Sequence, residues 1–342
     1  MSSRQSTDEV GRLNRWWYQS WLHPLLWFLI PLTWLFIVFS ALRRLSFKIG
    51  LRRSYRAPVP VVVVGNISVG GTGKTPLTVA LVTALLERGY KPGIVSRGYG
   101  GHGPFPQAVT ASSDPNQVGD EPYMLHAITN VPVVVSPKRS QAARMLLEEH
   151  ACDVIISDDG LQHYALARDI EFAVVDTKRG LGNGWRLPCG PLRESKRRLK
   201  RVDYVLCNGA DPINVGSAQT VPMQIQALGW HRVADQQAIE TPDGESVIAV
   251  AGIGNPRRFF DLLSTQNLHI TETRVFADHH AYQASDFFDV SNLYPLVMTE
   301  KDAVKCRSFA RPHWYYLKVG AVLPADFIEQ FIQRVQEHID DT

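Results

Sequence analysis

The feature that most constrains this chain is a glycine-rich loop that follows a run of β-branched residues. Residues 59–89 read VPVVVVGNISVGGTGKTPLTVALVTALLERG. The apolar run predicts a buried strand, and the apolar positions after the loop recur with the period of a helix. Glycines in such a loop let backbone N–H groups turn onto phosphate oxygens, and the next helix adds the partial positive charge of its N-terminus. The segment therefore predicts a nucleotide-phosphate site in an α/β fold.

Single residues of this glycine loop (residues 65–76) have predicted roles. Lys74 is expected to reach the β- and γ-phosphates of the nucleotide, and Thr75 to place its hydroxyl on Mg²⁺. The strict pattern G-x-x-x-x-G-K-[ST] has glycine where this chain has Ser68. The predicted nucleotide-binding residues are Ser68, Val69, Gly70, Gly71, Thr72, Gly73, Lys74 and Thr75.

A second apolar run ends in two carboxylates. The segment CDVIISDDGLQH, residues 152–163, places Asp158 and Asp159 directly after the predicted strand. A carboxylate at the end of a neighbouring strand is the Walker B position, which holds Mg²⁺ beside the loop threonine. The structural alternative is a strand-end aspartate that caps the next helix. The glycine loop favours the metal role for this pair.

The N-terminal region is apolar and is followed by basic residues. Residues 21–42 contain no Asp, Glu, Lys or Arg, and as a helix they would span about 33 Å, close to one hydrocarbon core. Tryptophans cluster around this run, which suits a membrane interface. Four basic residues spaced by four share one helix face and can meet anionic lipid. They are Arg44, Lys48, Arg52 and Arg56.

Three interpretations of the apolar run stay open. It is a spanning helix, a helix that lies in or on one leaflet, or a buried core helix. Pro24 and Pro31 interrupt the run and favour a bent element. The run is long and has no clear small-residue cleavage site, which disfavours a cleaved signal peptide. If the helix spans, the basic flank on its C-terminal side places the rest of the chain in the cytoplasm.

Bulk composition narrows the class of protein. A chain of 342 residues predicts about two domains. The formal net charge of +3 is too small to indicate a nucleic-acid partner. The four cysteines form no CxxC pair and no zinc pattern, so a reducing cytosol fits.

A nucleotide site leaves a kinase, an ATPase switch and a GTPase as alternatives. Dimerising membrane ATPases often carry K-G-G-x-G-K-[ST], and Val69 stands here in place of the first lysine. GTPases read guanine with N-K-x-D, whereas NGAD at 208–211 has Gly209 and TEKD at 299–302 is a comparably weak match. Guanine is assigned from neither motif. A non-catalytic membrane scaffold would leave the glycine loop and its carboxylates without a purpose.

A kinase also needs a carboxylate that can accept the proton of the acceptor hydroxyl. The segment QVGDEPYML offers Asp120 and Glu121, and FADHHAYQASDF offers Asp278, His279 and His280. The structural alternatives are an acidic first turn of a helix for the former and a surface turn for the latter.

Taken together, these segments resemble the tetraacyldisaccharide 4'-kinase family. The resemblance rests on an ordered set of motifs across nearly the whole chain, of which each alone is modest evidence. They are GNISVGGTGKTP, SRGYGG, VGDEP, PKR, DDGLQH, GNGWRLPCGPLRE, AGIGNPRRFF, DHH and TEKDAVK, between residues 65 and 305. A hydroxyl residue at the position of Ser68 is usual in that family.

The resemblance implies ATP-dependent phosphorylation of the 4'-hydroxyl of a tetraacylated glucosamine disaccharide 1-phosphate, with ATP as co-substrate and Mg²⁺ as cofactor. The implied place is the cytoplasmic face of the inner membrane of a Gram-negative bacterium, where the lipid disaccharide and the membrane surface are the partners. No nucleic acid and no obligate protein partner are expected.

The resemblance also implies residue roles. Asp120 matches the family's proposed catalytic base, and His279 matches its partner from the second domain. Asp158 and Asp159 match the acidic pair near Mg²⁺, with Asp158 on the metal side. The expected contacts to substrate or phosphate are Arg97, Tyr99, Glu121, Arg139, Gln162, His163, Arg193 and Glu194.

The predicted fold is an α/β fold with a mostly parallel sheet of the P-loop NTPase type. A smaller C-terminal α/β domain and an N-terminal membrane-associated helix complete it. The predicted regions are 1–57, 58–230 and 231–342, with catalysis in the cleft between the last two. Strands are predicted at 59–64, 91–96, 131–136, 154–157, 170–176 and 204–207. A turn is predicted at 241–246, and the GIGNP segment at 252–256 is expected to form a tight turn.

Overall fold

The computed structural model describes residues 13, 15–209, 218–242, 246–290 and 293–341. Three predictions extend outside the described residues. They concern residues 1–12 and 14 of the N-terminal region, Ala210 and Asp211 of the NGAD segment, and residues 243–245 in the predicted turn.

The apolar N-terminal run forms a helical rod. A 3-10 turn at Pro24–Leu29 leads directly into α1, Ile30–Lys48. Each proline lies in the first turn of its helix, where a backbone N–H is not needed, so both begin helices and do not interrupt one. Within the described ranges this is the one helix long and apolar enough to cross a membrane, and only 11% of its most apolar window is buried. Such exposure does not fit a core helix.

Seven strands form the first half-sheet around the strand that precedes the glycine loop. Strand β1 pairs in parallel with β5 and β6, β2 lies between β5 and β4, and β7 follows β6. Strand β3 closes the edge antiparallel to β4. The bounds are β1 Val61–Gly65, β2 Pro92–Ser96, β3 Gln107–Val109, β4 Val133–Val135, β5 Val154–Ser157, β6 Ile170–Asp176 and β7 Tyr204–Asn208. The predicted strands at 154–157 and 170–176 are confirmed.

Helices cover both faces of the first half-sheet. Every residue of β1 is buried, as expected for a parallel strand with packing on both sides. The helices are α2 Lys74–Glu87, α3 Pro115–Val118, α4 Asp120–Thr129 and α5 Arg139–Glu149.

A long strand connects the first half-sheet to a second one. Strand β8, Gln219–Arg232, pairs in parallel with β7 at its start and antiparallel with β13 over Gln224 to Arg232. The second half-sheet then runs β13, β12, β10, β11. Its strands are β9 Ala238–Ile239, β10 Ser246–Ala251, β11 His269–Val275, β12 Leu296–Thr299 and β13 Trp314–Val322. The helices are α6 Pro256–Ser264, α7 Glu300–Cys306 and α8 Ala325–Asp340.

The last helix returns to the first half of the molecule. Phe327, Phe331 and Val335 of α8 are buried in the same apolar cluster as Val62 and Leu81. The C-terminal end of the chain therefore helps to build the core around the glycine loop. The predicted division of the chain near residue 230 stays a prediction.

The connectivity places a cleft between the two half-sheets. Parallel strands present their carboxyl ends at one edge, where ligands bind in open α/β sheets. The glycine loop follows β1, and Asp158 and Asp159 follow β5, at that edge of the first half-sheet. The segments after β10 and β12 face them from the second half-sheet, since Gly254 approaches Gly71 and Lys301 reaches Glu121.

Candidate functional site

The glycine loop is held in shape by two asparagine side chains. The Nδ2 of Asn66 donates to Thr72 Oγ1 at 3.2 Å, and the Nδ2 of Asn208, at the end of β7, donates to Thr72 O at 2.7 Å. Gly73 has a φ of 102°, and a Cβ there would lie 2.5 Å from Asn208 Nδ2. Gly73 precedes α2 and provides no side-chain cap, so the first amides of α2 keep their capacity to bind an anion.

The two aspartates after β5 have different surroundings. Asp159 accepts a hydrogen bond from Arg193 Nη1 at 2.9 Å and lies 3.8 Å from Lys74 Nζ. Burial alone would raise the pKa of Asp159, but the charges of Lys74 and Arg193 hold it well below its usual range. Asp159 is therefore an ionised carboxylate that already pairs with the lysine of the glycine loop.

Asp158 is the more buried member, with 2% of its surface exposed. Its Oδ1 accepts a hydrogen bond from Thr78 Oγ1 at 3.3 Å. Burial, followed by the charges of Glu121 and Asp159, raises the pKa of Asp158 to about 7. A divalent cation near such a carboxyl group would stabilise its ionised form and so lower its pKa.

The donors around Asp158 suit magnesium by chemistry. Thr75, Asp158 and Asp159 offer the hard oxygen ligands that Mg²⁺ prefers. No group of three His, Cys, Asp or Glu side chains that could hold a metal occurs in the part of the chain that the structure describes. Magnesium commonly keeps several waters and binds through one or two carboxylates plus substrate phosphates, so the residues fit an ion that arrives with a nucleotide.

Arg139, at the start of α5, supports the end of β5. It is 1% exposed, and its guanidinium donates to Asp158 O at 2.8 Å and to Ser136 O at 3.1 Å. Burial lowers its pKa to about 10. Its Nη1 and Nη2 are thus used on the backbone, although the side chain also borders the cavity described below.

The other predicted contact residues near β5 form a connected group. Gln162 Nε2 donates to Asn66 O at 3.0 Å and to Glu194 Oε1 at 2.9 Å. Glu194 is 6% exposed and also accepts from Tyr164 and from Arg44 of α1. Glu194 and Gln162 therefore connect α1 to the glycine loop through side-chain contacts.

His163 borders the same group of residues. Burial, followed by the charges of Arg139 and Arg97, lowers the pKa of His163 to about 3, so its imidazole is neutral at physiological pH.

Asp120 and His279 meet across the cleft. Asp120 is the first residue of α4, and its Oδ1 lies 2.8 Å from His279 Nδ1 while it also accepts from the amide of Glu121 at 3.0 Å. Asp120 is 7% exposed and lies behind the imidazole, whereas His279 and Glu121 border the cavity. The ring of Tyr99 packs on His279 with centroids 4.9 Å apart.

The pair is electrostatically coupled. Burial would raise the pKa of Asp120, but the hydrogen bond from His279 and the charges of Lys301 and Lys305 bring it well below its usual range. Burial would lower the pKa of His279, but the hydrogen bond with Asp120 raises it above its usual value. His279 also has a φ of 63°, and such backbone strain in a non-glycine residue concentrates at functional sites.

Sequence reasoning missed Lys301 and Lys305 on α7. The Nζ of Lys301 is 2.8 Å from Glu121 Oε1, and that of Lys305 is 3.5 Å from Asp120 Oδ2. Two signals covered them: the TEKD segment, considered above as a guanine motif, and the longer TEKDAVK motif of the family resemblance, from which no role was drawn for either lysine. Its Asp302 is 0% exposed and accepts from Gly252 N and Thr299 Oγ1, so it builds the start of α7 and does not face a base.

The segment after β10 lies over the glycine loop. A Cβ on Gly254 would lie 3.1 Å from Gly71 N, and Arg179 Nη2 donates to Gly254 O at 3.5 Å. Arg258 of α6 hydrogen-bonds Asn208 and lies 3.7 Å from Asp176. The second half-sheet thus contributes directly to the surroundings of the predicted nucleotide site.

One cavity connects these parts. It has a volume of about 1370 Å³ and extends from Arg43 and Arg44 of α1, past the glycine loop and Asp159, to His279. Pockets for small ligands usually have a volume of about 300–1,000 Å³, so the space exceeds what one ligand of that size needs. The arrangement joins a phosphate-binding loop, two carboxylates beside it and a His–Asp pair on a common space, which is suited to phosphoryl transfer.

Comparisons with known proteins agree with this chemistry. The model of the family described as LpxK, tetraacyldisaccharide-1-P 4'-kinase, matches residues 25–336. The tetraacyldisaccharide 4'-kinase of Idiomarina loihiensis is 49% identical over 313 residues, which cover 91% of this chain and 94% of that protein. The one of Shewanella piezotolerans is 46% identical and covers 96% of this chain and 98% of its own.

A solved structure has the same fold. The chain of LpxK from Aquifex aeolicus, described as an "apo" form in complex with ATP, aligns with a TM-score of 0.77 and 26% identity. The alignment covers 91% of this chain and 99% of that one. With the family model spanning most of the sequence and relatives near half identical over almost their whole length, this chain belongs to the tetraacyldisaccharide 4'-kinase family.

Proposed function

We propose that this protein transfers the γ-phosphate of ATP to the 4'-hydroxyl of tetraacyldisaccharide 1-phosphate and so forms the 1,4'-bisphosphate. The observation that carries the proposal is the shared cavity, which has the glycine loop on one wall and His279, with Asp120 behind it, on another. Membership of the kinase family supports the choice of donor and acceptor.

The nucleotide is bound by the glycine loop and the start of α2. Backbone amides of residues 68–75 surround the β- and γ-phosphates, and Lys74 moves from Asp159 to the phosphate oxygens. Arg193, which pairs with Asp159 in the structure, turns to the same phosphate oxygens and contacts them in a bidentate manner. Thr75 and Asp158, with Asp159 nearby, would hold Mg²⁺, and the ion would supply positive charge that neutralises the phosphates of the nucleotide.

The acceptor hydroxyl is activated by the Asp120–His279 pair. The O–H bond of the 4'-hydroxyl breaks as its oxygen bonds to the γ-phosphorus, the bond from that phosphorus to the β-phosphate oxygen breaks, and ADP leaves. The pair takes the proton as one unit, with His279 on the cavity wall and Asp120 behind it. Phosphoryl transfer passes through a loose transition state, so placing the hydroxyl in line is at least as important as removing its proton. That Asp120 itself is the base stays a prediction.

The lipid acceptor explains the N-terminal helix. A lipid with four acyl chains is scarce in water, so an enzyme that uses it has to work at a bilayer. We place residues 1–57 at the cytoplasmic face of the inner membrane, with the apolar side chains of α1 in the lipid and its basic residues against anionic headgroups. The cavity reaches Phe36 and Arg43 of α1, which gives the lipid a route to the site. Residues 58–230 and 231–342 are the two domains that form the cleft.

The test is a phosphorylation assay in mixed micelles with ATP, Mg²⁺ and tetraacyldisaccharide 1-phosphate. The expected product is the lipid with one added phosphate, located at the 4'-position by tandem mass spectrometry. Lys74→Ala should abolish the product, whereas the exposed-surface variant Lys138→Ala should retain it. ATP hydrolysis with nucleotide-dependent dimerisation and no phosphorylated lipid would refute the proposal and favour a membrane-tethered ATPase switch.

A further inference from the structure

Lys301 lies at the point where the two half-sheets meet beside the His–Asp pair. Its ammonium is 2.8 Å from Glu121 Oε1, 3.2 Å from Asp278 Oδ1 and 3.4 Å from His279 Nε2. The side chain is only 12% exposed. Lys301 therefore contacts α4 of the first half-sheet and the 278–279 turn of the second half-sheet with a single charged group.

The contact with His279 has a consequence for the protonation of the imidazole. An ammonium group has three donors and no acceptor, so it can hydrogen-bond Nε2 only when that nitrogen has no proton. The Nδ1 of the same ring faces the carboxylate of Asp120, which is an acceptor. In the neutral imidazole, Lys301 and Asp120 together select the tautomer with its proton on Nδ1, in which Nε2 is available as a proton acceptor.

We propose that Lys301 is a positioning residue for phosphoryl transfer, which keeps Nε2 of His279 unprotonated and fixes the imidazole against α4 until the acceptor hydroxyl arrives. The proposal rests on the proposed kinase function. It assigns to Lys301 no contact with the reacting atoms, since its effect passes through His279 and Glu121.

Lys305 has a separate place in the same cluster. Its Nζ is 3.5 Å from Asp120 Oδ2 and 3.5 Å from Asp302 Oδ1, and its side chain is 9% exposed. It compensates the negative charge of Asp120 from the side opposite to the cavity. Among the described residues, the charged and titratable groups around His279 and Asp120 are thus Asp278, Lys301, Lys305 and Tyr99, with the carboxylate of Glu121 against Lys301.

The sign of the effect follows from the charges. A nearby positive charge disfavours a second proton on His279 and favours the ionised form of Asp120. Removing the charge of Lys301 therefore raises the pKa of both groups. The pair becomes protonated at a higher pH, and the acid limb of the rate profile moves to higher pH.

The experiment compares Lys301→Met, which keeps most of the length of the side chain and removes its charge, with Lys301→Arg, which keeps the charge. The matched control is Lys178→Met, which removes another lysine–carboxylate contact between the half-sheets. The Nζ of Lys178 lies 3.6 Å from Asp261 Oδ2, and its side chain is 80% exposed. Lys178 is also far from the His–Asp pair in sequence. The readout is kcat against pH with lipid acceptor and MgATP at saturation, together with the KM for ATP and the thermal unfolding midpoint.

The expected result is an acid limb shifted upward by about one pH unit or more in Lys301→Met. The limb of Lys301→Arg should stay close to that of wild type, as should that of Lys178→Met, and the KM for ATP should change less than about twofold in all three. A purely structural role would lower kcat of Lys301→Met at every pH and leave the limb in place, and that result overturns the proposal.

A second measurement uses the wild-type protein, so it requires neither a folded Lys301 variant nor enzymatic turnover. Long-range ¹⁵N–¹H spectra of the wild-type protein, with His279 assigned by its absence in His279→Gln, report the tautomer above the acid limb. A proton on Nδ1 supports the proposal, and a proton on Nε2 overturns it. If wild-type protein forms no phosphorylated lipid, the proposed function itself fails; if it does and the limb is unmoved in Lys301→Met, only the role of Lys301 fails.

Discussion

Replacing Asp120 by Asn and His279 by Gln, singly and together, tests whether the two residues act as one unit. The 2.8 Å contact between Asp120 Oδ1 and His279 Nδ1 implies that neither side chain does its work without the other. General acid–base catalysis typically contributes a factor of about 10²–10⁴ to the rate. We expect each single variant to lose kcat within that range, and the double variant to lose no more than the worse single variant, because residues that act as a unit are not additive.

The expected loss of kcat can be measured separately from any effect of the variants on nucleotide binding or on folding. The contacts described for the pair involve α4, α7 and Tyr99 of the SRGYGG segment, and none involves residues 66–75. The Kd for MgATP should therefore change less than about threefold in each variant. Asn keeps the shape of Asp120 but removes the charge that faces Lys305. A charge-assisted hydrogen bond contributes about 1.5–3 kcal/mol, which sets the expected loss in free energy of unfolding.

The assay is single-turnover transfer from ATP to the lipid in micelles, with MgATP affinity measured by calorimetry and stability by urea unfolding. Working at saturating ATP isolates the chemical step from binding. Losses in the two single variants that multiply in the double variant would show two independent contributions and refute the idea of one unit. A single variant with wild-type kcat would remove that residue from the reaction.

Three further predictions follow from other parts of the structure. Gly73→Ala should weaken MgATP binding at least about tenfold by calorimetry, because a Cβ at a φ of 102° would lie 2.5 Å from Asn208 Nδ2 and such strain is worth about 1–3 kcal/mol. Burial raises the pKa of Glu300 to about 7, so the native state retains a proton that the unfolded chain releases above a pH of about 4.3, and stability falls as pH rises between these values. Urea unfolding at pH 5 and 8 should therefore show a loss of stability that is larger in wild type than in Glu300→Gln by up to about 3 kcal/mol, and parallel profiles would contradict this. Phe28 and Phe39 are 84% and 69% exposed, so changing both to Glu should weaken sedimentation with anionic vesicles about 100-fold while the thermal midpoint stays unchanged.

The local part of the nucleotide site could be predicted from the sequence because its signals are short. Strand β1, the loop and α2 are consecutive, and their order is set by β-branched residues, glycines and a helical period. The strand before Asp158 was predicted with its observed bounds, since an apolar run between polar segments defines it. The motifs of the loop and of the later segments, in their order, also led to the family that the comparisons show.

The long-range part of the site could not be predicted from periodicity. Asp120 and Lys301 are 181 positions apart, and their approach depends on α4 and α7 lying on opposite sides of the cleft. The TEKD segment illustrates the difficulty, because it resembles a guanine-binding motif. Its lysine instead lies beside the His–Asp pair, and its aspartate stabilises the start of α7. A motif also does not predict how its side chains are surrounded in the fold. Asp158 and Asp159 are adjacent in sequence, yet the pKa of Asp158 is raised and that of Asp159 is lowered.

The two walls of the cavity depend on the same relative position of the half-sheets. Gly254 lies against Gly71 of the glycine loop, and His279, 25 residues further along, meets Asp120 on α4. A rigid-body separation large enough to uncover the loop would therefore also part His279 from Asp120. In the proposed mechanism, activation of the hydroxyl then requires the loop to be covered. This coupling would limit the transfer of phosphate to water, because the pair would be intact only when the two half-sheets are closed over the loop.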